Sequence, residues 1–216
     1  MVYADRAGMK ERHPAPEYLE TADELKEEEL WERKDYLEYY TLWGKNNLEI
    51  LIHQLRHAPY NQGDGRLFSQ FGSYKMRLIE SFCGGEVMPA WYGYYAEAAF
   101  RAACATFSFG AFDRAKELME TAFTYFDKWN AIPDGELLDV GVAEITASMK
   151  VKKGSGVLIL QTGETAVAST DWIFKGSKGD IMYKGLTAPR GWEWFNPARN
   201  EPFFAEYVKR SEKYLN

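Results

Sequence analysis

Only a few residues in this chain have the types and spacing that metal binding or catalysis needs. His53 and His57 are four residues apart, so they would share one helix face, where two imidazoles can ligate a metal. Gln54 stands where a metalloprotease carries glutamate, and no third ligand is suggested. We therefore expect the two histidines to border the helix end before Pro59. Cys83, just ahead of two glycines, could be a nucleophile on a turn, but no histidine lies near it in the sequence.

The carboxylates divide into a run and a few isolated residues. The run between Glu24 and Glu32 is typical of a solvated helix face. Glu80, Glu97 and Glu144 lie among apolar residues and are the better acid–base candidates, although nothing in the sequence pairs two of them across a cleft. We predict no catalytic set, no bound metal and no cofactor.

Two aromatic clusters stand out. The segment 91–95 has the sequence Trp-Tyr-Gly-Tyr-Tyr, and 192–195 has Trp-Glu-Trp-Phe. Consecutive residues point all round a helix, so the first cluster must meet more than one surface. One such surface is either a partner or the protein's own C-terminal sheet. The second cluster lies in a loop bounded by glycine and proline, and we expect it to dock on the helices.

Composition excludes several classes of protein. The chain has 216 residues, of which 46% are hydrophobic and 27% charged, so it is neither disordered nor embedded in a membrane. Its net charge is −6, and no basic run interleaves with aromatics as a nucleic-acid groove requires. The charged N-terminal residues do not resemble a signal peptide, and two cysteines do not make a disulfide scaffold. We therefore predict a cytoplasmic location, with neither nucleic acid nor membrane as a partner.

The predicted secondary structure changes along the chain, from helices in the first part to strands in the second. We predict a leader over 1–17, a helical region over 18–135, and a β-hairpin region with a closing helix over 136–216, packed with the helices as one unit. In the helical region, a capping box at 21–24 precedes the first helix, and a later helix runs from Leu67 to about Phe82. A helical hairpin then turns at Gly110.

From Val140 the hydrophobic period changes from helical to two, which indicates strands. We predict a strand ending near Lys152, a turn at 154–156 and a second strand over 157–160. A second hairpin would pair 172–174 with 181–183, and 163–170 could be strand or helix. A last helix carries apolar residues from Phe203 to Leu215. The predicted fold class is α+β: a mainly helical bundle, a small antiparallel sheet and a closing helix.

The hairpin at about 98–127 resembles a tetratricopeptide repeat. Small residues, the turn glycine and an aromatic fall at that family's spacing, namely Ala103, Gly110, Phe112, Ala115, Met119 and Ala122. The first helix departs from the pattern, with Ala99, Ala102 and Thr106 in place of larger residues. A possible echo begins at Phe71-Gly72. The resemblance implies a concave binding face on the first helix, and our candidate binding residues there are Tyr94, Glu97, Phe100, Arg101, Cys104 and Ser108. The alternative is that Phe100 and Cys104 are ordinary core residues.

Three functions remain open at this level. The first is a non-enzymatic interaction protein that binds a peptide or protein, or a second copy of itself as a homodimer, through the aromatic and acidic helix face. The second is an enzyme or small-ligand binder with a Trp, Tyr and Glu pocket between helices and sheet. The third is an immunity-type inhibitor of a basic partner. A closed pocket near Tyr94 would favour the second, and a shallow patch the first.

Overall fold

A computed structural model describes the chain over residues 29–34, 63–142, 149–155, 157–159, 163, 165–167, 179–188 and 190–215. The leader, the capping box, the two histidines of the helix before Pro59 and the proposed strand at 172–174 lie outside these residues. Residues 29–32 form a helical turn in which Leu30 is fully buried. The fold is α+β, as predicted.

Helix α1 spans Gly65–Phe82 and begins and ends as its sequence predicts. The carboxylate of Asp64 accepts a hydrogen bond from the backbone N–H of Leu67 at 2.9 Å, which satisfies a donor that the first helical turn leaves free. Beyond the last turn, Gly84 and Gly85 take positive φ angles of 81° and 107°. Glycine adopts this conformation without a steric penalty, so the chain can leave the helix here.

The predicted helical hairpin is confirmed. A short 3₁₀ turn, Pro89–Trp91, leads into α2, Tyr92–Phe107, and α3 follows as Phe112–Ala131. Gly110 makes the turn with a φ of 80°. Ala103 and Ala115, which fall at the tetratricopeptide spacing, are both fully buried. Small side chains let two helix backbones approach, and the larger residues beside them fill the remaining space.

Gly72 lies in the middle of α1 and packs against α2. A Cβ atom placed on Gly72 would lie 2.8 Å from the Cβ of Ala102, closer than two carbon atoms pack. The echo of the hairpin at Phe71-Gly72 would need a turn at this glycine. Here the glycine instead permits close contact between two helices.

The sheet has four short antiparallel strands in sequence order. They are β1, Leu137–Asp139; β2, Lys150–Lys152; β3, Val157–Ile159; and β4, Thr165–Val167. Leu138 lies opposite Val151, and Val151 lies opposite Leu158. The predicted turn after Lys152 and the strand after it are confirmed. The undecided segment 163–170 contains strand β4, and β1 begins before Val140, where we placed the change of period.

One predicted strand is wrong. Ile181, Met182 and Tyr183 belong to helix α4, Asp180–Thr187, and not to a hairpin. The buried residues of this helix, Met182, Gly185 and Leu186, fall at helical spacing. The three adjacent apolar residues were too short a segment to separate a helix from a strand. The closing helix is confirmed as α5, Pro202–Ser211, followed by a 3₁₀ turn at Glu212–Tyr214.

One hydrophobic core joins the helices, the strands and the C-terminal segment. The indole N–H of Trp91 donates to the carbonyl of Val140, just after β1. Trp91, the first residue of the aromatic segment 91–95, therefore packs against the end of β1. Phe195 lies against Phe100 and Phe107 at ring-centroid distances of 5.5 and 5.9 Å, so the second cluster docks on α2 as expected. No helix in the described part of the chain is both long and apolar enough to cross a membrane.

Candidate functional site

Three of the six candidate binding residues lie inside the core. Tyr94, Phe100 and Cys104 are 2%, 0% and 3% exposed. Helix α2 is enclosed by α1, by α3 and by the 3₁₀ segment Glu193–Ala198, so most of its side chains are buried. Burial also raises the pKa of the Cys104 thiol well above its ordinary value. This agrees with the alternative interpretation of Phe100 and Cys104 as core residues.

The other three candidates reach the surface. The guanidinium Nε of Arg101 lies 2.7 Å from a carboxylate oxygen of Glu97, and the two side chains are 30% and 15% exposed. The centre of the guanidinium lies 5.3 Å from the ring of half-buried Trp192, a cation–π geometry. We call Glu97, Arg101 and Trp192 the Arg101 face. Ser108 lies apart from it, at the end of α2, where its hydroxyl donates to the carbonyl of Ala105.

Trp192, the aromatic member of the Arg101 face, packs against the hydrophobic core. The ring centroid of Trp192 lies 5.1 Å from that of Phe100, which is fully buried. A Cβ on Gly185 of α4 would come within 3.0 Å of both rings, so this position has no room for a larger residue. The neighbouring Glu193 accepts a hydrogen bond from the backbone N–H of Gly191 at 2.8 Å, which lowers the pKa of that carboxyl. Trp192 is therefore held between a core ring below it and a cation at its surface.

A second polar and aromatic group lies where α2 meets α3. The sequence singled out the segment 91–95, which supplies two of its rings, but not the third ring, Tyr125. We call Tyr92, Tyr95 and Tyr125 the tyrosine cluster. The ring of Tyr125 lies 5.4 Å from that of Tyr92 and 4.6 Å from that of Tyr95. The hydroxyl of Tyr95 donates to the carboxylate of Glu80 on α1. Burial, and then this carboxylate, raise the pKa of Tyr95, so its hydroxyl stays protonated.

Charged side chains border the tyrosine cluster. The ammonium of Lys128 lies 4.7 Å from the ring centroid of Tyr125 and 5.4 Å from that of Tyr92. Burial and then the Glu86 carboxylate raise the pKa of Tyr92. A sequence signal did exist, because Tyr92 and Tyr95, and likewise Tyr125 and Lys128, are three residues apart and share a helix face.

Cys83 lies near this cluster but is a poor nucleophile. Its side chain is buried, and burial raises the pKa of its thiol to about 11. A thiol with that pKa is almost wholly protonated at neutral pH, whereas the thiolate is the reactive form. Both cysteines of the chain are free thiols. Within the described ranges, no three His, Cys, Asp or Glu residues are grouped closely enough to hold a metal ion.

A polar cleft of about 460 Å³ lies where the end of α3 meets the β2–β3 turn and the C-terminal 3₁₀ turn. It is lined by Asp127, Asn130, Ile132, Pro133, Asp134, Lys153, Lys213 and Tyr214.

The charged groups of the cleft are paired with one another. The ammonium of Lys153, whose side chain is 6% exposed, donates to the carbonyl of Ile132 and lies 3.2 Å from Asp134. The carboxylate of Asp127 accepts from the hydroxyl of Tyr214 at 2.8 Å and from the ammonium of Lys213 at 2.8 Å. These contacts fasten the C-terminal turn to α3.

Comparison of the chain with protein-family models, curated proteins and solved structures gives no match. The resemblance of the hairpin to a tetratricopeptide repeat therefore stays a prediction.

Proposed function

We propose that this protein binds a peptide or protein partner, and that the Arg101 face is the contact surface. The observation that carries the proposal is the half-exposed Trp192 with the guanidinium of Arg101 lying over it at 5.3 Å. Tryptophan and arginine are the residues most enriched at the energetic centres of protein interfaces. Because Glu97 and Phe100 already hold these two groups, a partner would meet an ordered surface and lose little entropy in binding it.

The partner of the proposed interaction is another protein or a second copy of the chain. We place the interaction in the cytoplasm, on the ground that both cysteines are free thiols, as is usual in a reducing compartment. The proposal assigns no catalytic role to any residue.

A site-specific cross-linking experiment tests the face. A photoreactive amino acid replaces Arg101 in the full chain and, as a control, Arg77, an exposed arginine 5.4 Å from the ring of Tyr74. We expect covalent adducts from position 101 and few from position 77. Light scattering over a range of concentrations then separates a homodimer from a complex with another protein. Equal adduct yields from the two positions would contradict the proposal.

The polar cleft supports a second candidate function, the binding of a small polar ligand. Its volume of about 460 Å³ is within the range of small-molecule sites. It offers both carboxylates and ammonium groups, with no net charge among Asp127, Asp134, Lys153 and Lys213. Ligand-observed NMR with free amino acids as the probes tests it. A signal that is lost in Lys213→Met but kept in Lys209→Met would support the cleft, and no signal in the unmodified chain would reject amino acids as its ligands.

A further inference from the structure

The tyrosine cluster already holds a cation, and it holds it loosely. Lys128 places its ammonium over the rings of Tyr92 and Tyr125. Within the described part of the chain, this ammonium makes no ion pair and no hydrogen bond. Its side chain is exposed and ends a flexible stem. The rings thus form a cation site, and cation–π attraction is what holds its present occupant among the described residues.

Two carboxylates, those of Glu86 and Glu80, place negative charge near the rings. Glu86 is exposed and, among the described residues, has neither an ion pair nor a hydrogen bond. It lies close enough to raise the pKa of both Tyr92 and Tyr125. Glu80 also lies at the cluster, where it accepts the hydrogen bond from Tyr95. A cation at these rings would therefore lie in the field of nearby carboxylates as well as over two ring faces.

We propose that the tyrosine cluster binds a lysine or arginine side chain from a basic segment of a partner protein, which displaces Lys128 from the two rings. The negative charge of a carboxylate ligand would be repelled by the negative faces of the rings and by Glu86, so an acidic segment does not fit. The net charge of −6 on the chain would attract a basic partner from a distance. This chemistry matches the third function left open by the sequence, an inhibitor of a basic partner.

The proposal is independent of the Arg101 face. Tyr92 and Arg101 are nine residues apart, which at 3.6 residues per turn places them on roughly opposite sides of α2. A failure of the cross-linking experiment at position 101 would leave the tyrosine cluster untouched, and the reverse also holds.

Binding of an arginine-rich synthetic peptide without acidic residues tests the site. Affinity is measured by calorimetry at low and at moderate salt for the full chain and for Tyr125→Leu. Loss of one ring should weaken binding roughly threefold to tenfold, as expected for a cation–π contact. Tyr74→Leu is the matched control, because Tyr74 is an exposed tyrosine with its own arginine, Arg77, beside it. Equal effects of the two variants would overturn the proposal.

Removal of the resident cation gives a second, opposite readout. Lys128→Gln frees the rings and should tighten peptide binding. Lys116→Gln makes the same change of charge at a lysine that lies over Phe203 at 4.4 Å, away from the cluster. If both variants tighten binding equally, the attraction is only that of net charge, and the proposal is wrong. This comparison also holds if Tyr125→Leu fails to fold.

Discussion

The two surfaces of α2 hold a cation in different ways. On the Arg101 face, the guanidinium is fixed by an ion pair with Glu97 as well as by the ring of Trp192. On the tyrosine cluster, the rings of Tyr92 and Tyr125 are the only contacts that the ammonium of Lys128 makes among the residues the structure describes. A fixed cation is a feature that a partner can recognise, and a loosely held one marks a position that a partner's cation can take. The same cation–π chemistry therefore serves two kinds of recognition.

The difference follows from what lies beneath each surface. Trp192 rests on Phe100 in the centre of the core, so the Arg101 face is an extension of the core. The tyrosine cluster lies where α1, α2 and α3 meet, and the partly buried hydrogen bond from Tyr95 to Glu80 fixes it to α1. The experiments below change one surface and leave the other as an internal reference.

The largest effect is expected from Phe100→Ala. This ring is fully buried against Trp192 and Phe195, so its removal should lower the free energy of unfolding by about 3–5 kcal/mol. Urea denaturation measures the loss. Phe109→Ala, at a half-exposed ring that lies beneath Arg66, should cost less than half as much. If the two costs were equal, the Arg101 face would not depend on the core as described.

Raising the pH should lower the stability of the protein through Cys83, which lies near the tyrosine cluster. Burial raises the pKa of the Cys83 thiol to about 11, above the ordinary value of 9.0. The folded state therefore keeps this proton at a pH where the unfolded chain loses it. The stability that this contributes is complete below pH 9 and is lost as the pH rises toward 11.

Urea denaturation at a series of pH values checks this dependence. Cys83→Ala should make the decline above pH 9 shallower, and the buried groups that remain, such as Tyr207 with its pKa raised to about 12, keep the rest of it. An unchanged pH profile would show that Cys83 is not buried as the structure has it.

A smaller effect is expected from Tyr95→Phe. The change removes the hydroxyl that donates to Glu80 and leaves a half-buried carboxylate short of a donor, which costs about 1–2 kcal/mol. Tyr183→Phe, at a half-exposed hydroxyl on α4, is the control and should change stability little. A null result for Tyr95→Phe would mean that the cluster lacks the anchor assigned to it.

The smallest effect is expected from Glu97→Gln. The pair with Arg101 is partly exposed, so breaking it should cost no more than about 1 kcal/mol of stability. Glu117→Gln, which breaks the more exposed pair with Arg114, should cost still less. The role we assign to Glu97 is to orient Arg101. The affinity for the partner that cross-linking identifies, measured by calorimetry with Arg101 in place, should therefore fall further than stability does.

The sequence predicted best where local pattern decides structure. The hairpin follows from alanines at helical spacing with a glycine between the helices, and α1 follows from Asp64 at its start and Gly84 at its end. Helix α4 was missed because its buried side is set by contact with the rest of the fold, including Phe100 against Gly185. Its short apolar segment has no pattern of its own that excludes a strand.

The candidate site was predicted only in part, for a physical reason. The resemblance to a tetratricopeptide repeat placed Phe100 and Cys104 on a binding face, but it could not show that Phe195 packs against them. Trp192, which completes the Arg101 face, lies more than ninety residues away along the chain. The tyrosine cluster likewise needs α1, α2 and α3 together, so no single window of sequence contains it.

The contact between Gly72 and Ala102 has a consequence for how this sequence can evolve. At 2.8 Å there is no space for a methyl group on Gly72 while Ala102 keeps its own. Related sequences that keep the fold should therefore change these two positions together, with a larger residue at one allowed only by a glycine at the other. Such paired substitution would identify distant members of the lineage even where the surface residues of both binding faces have been replaced.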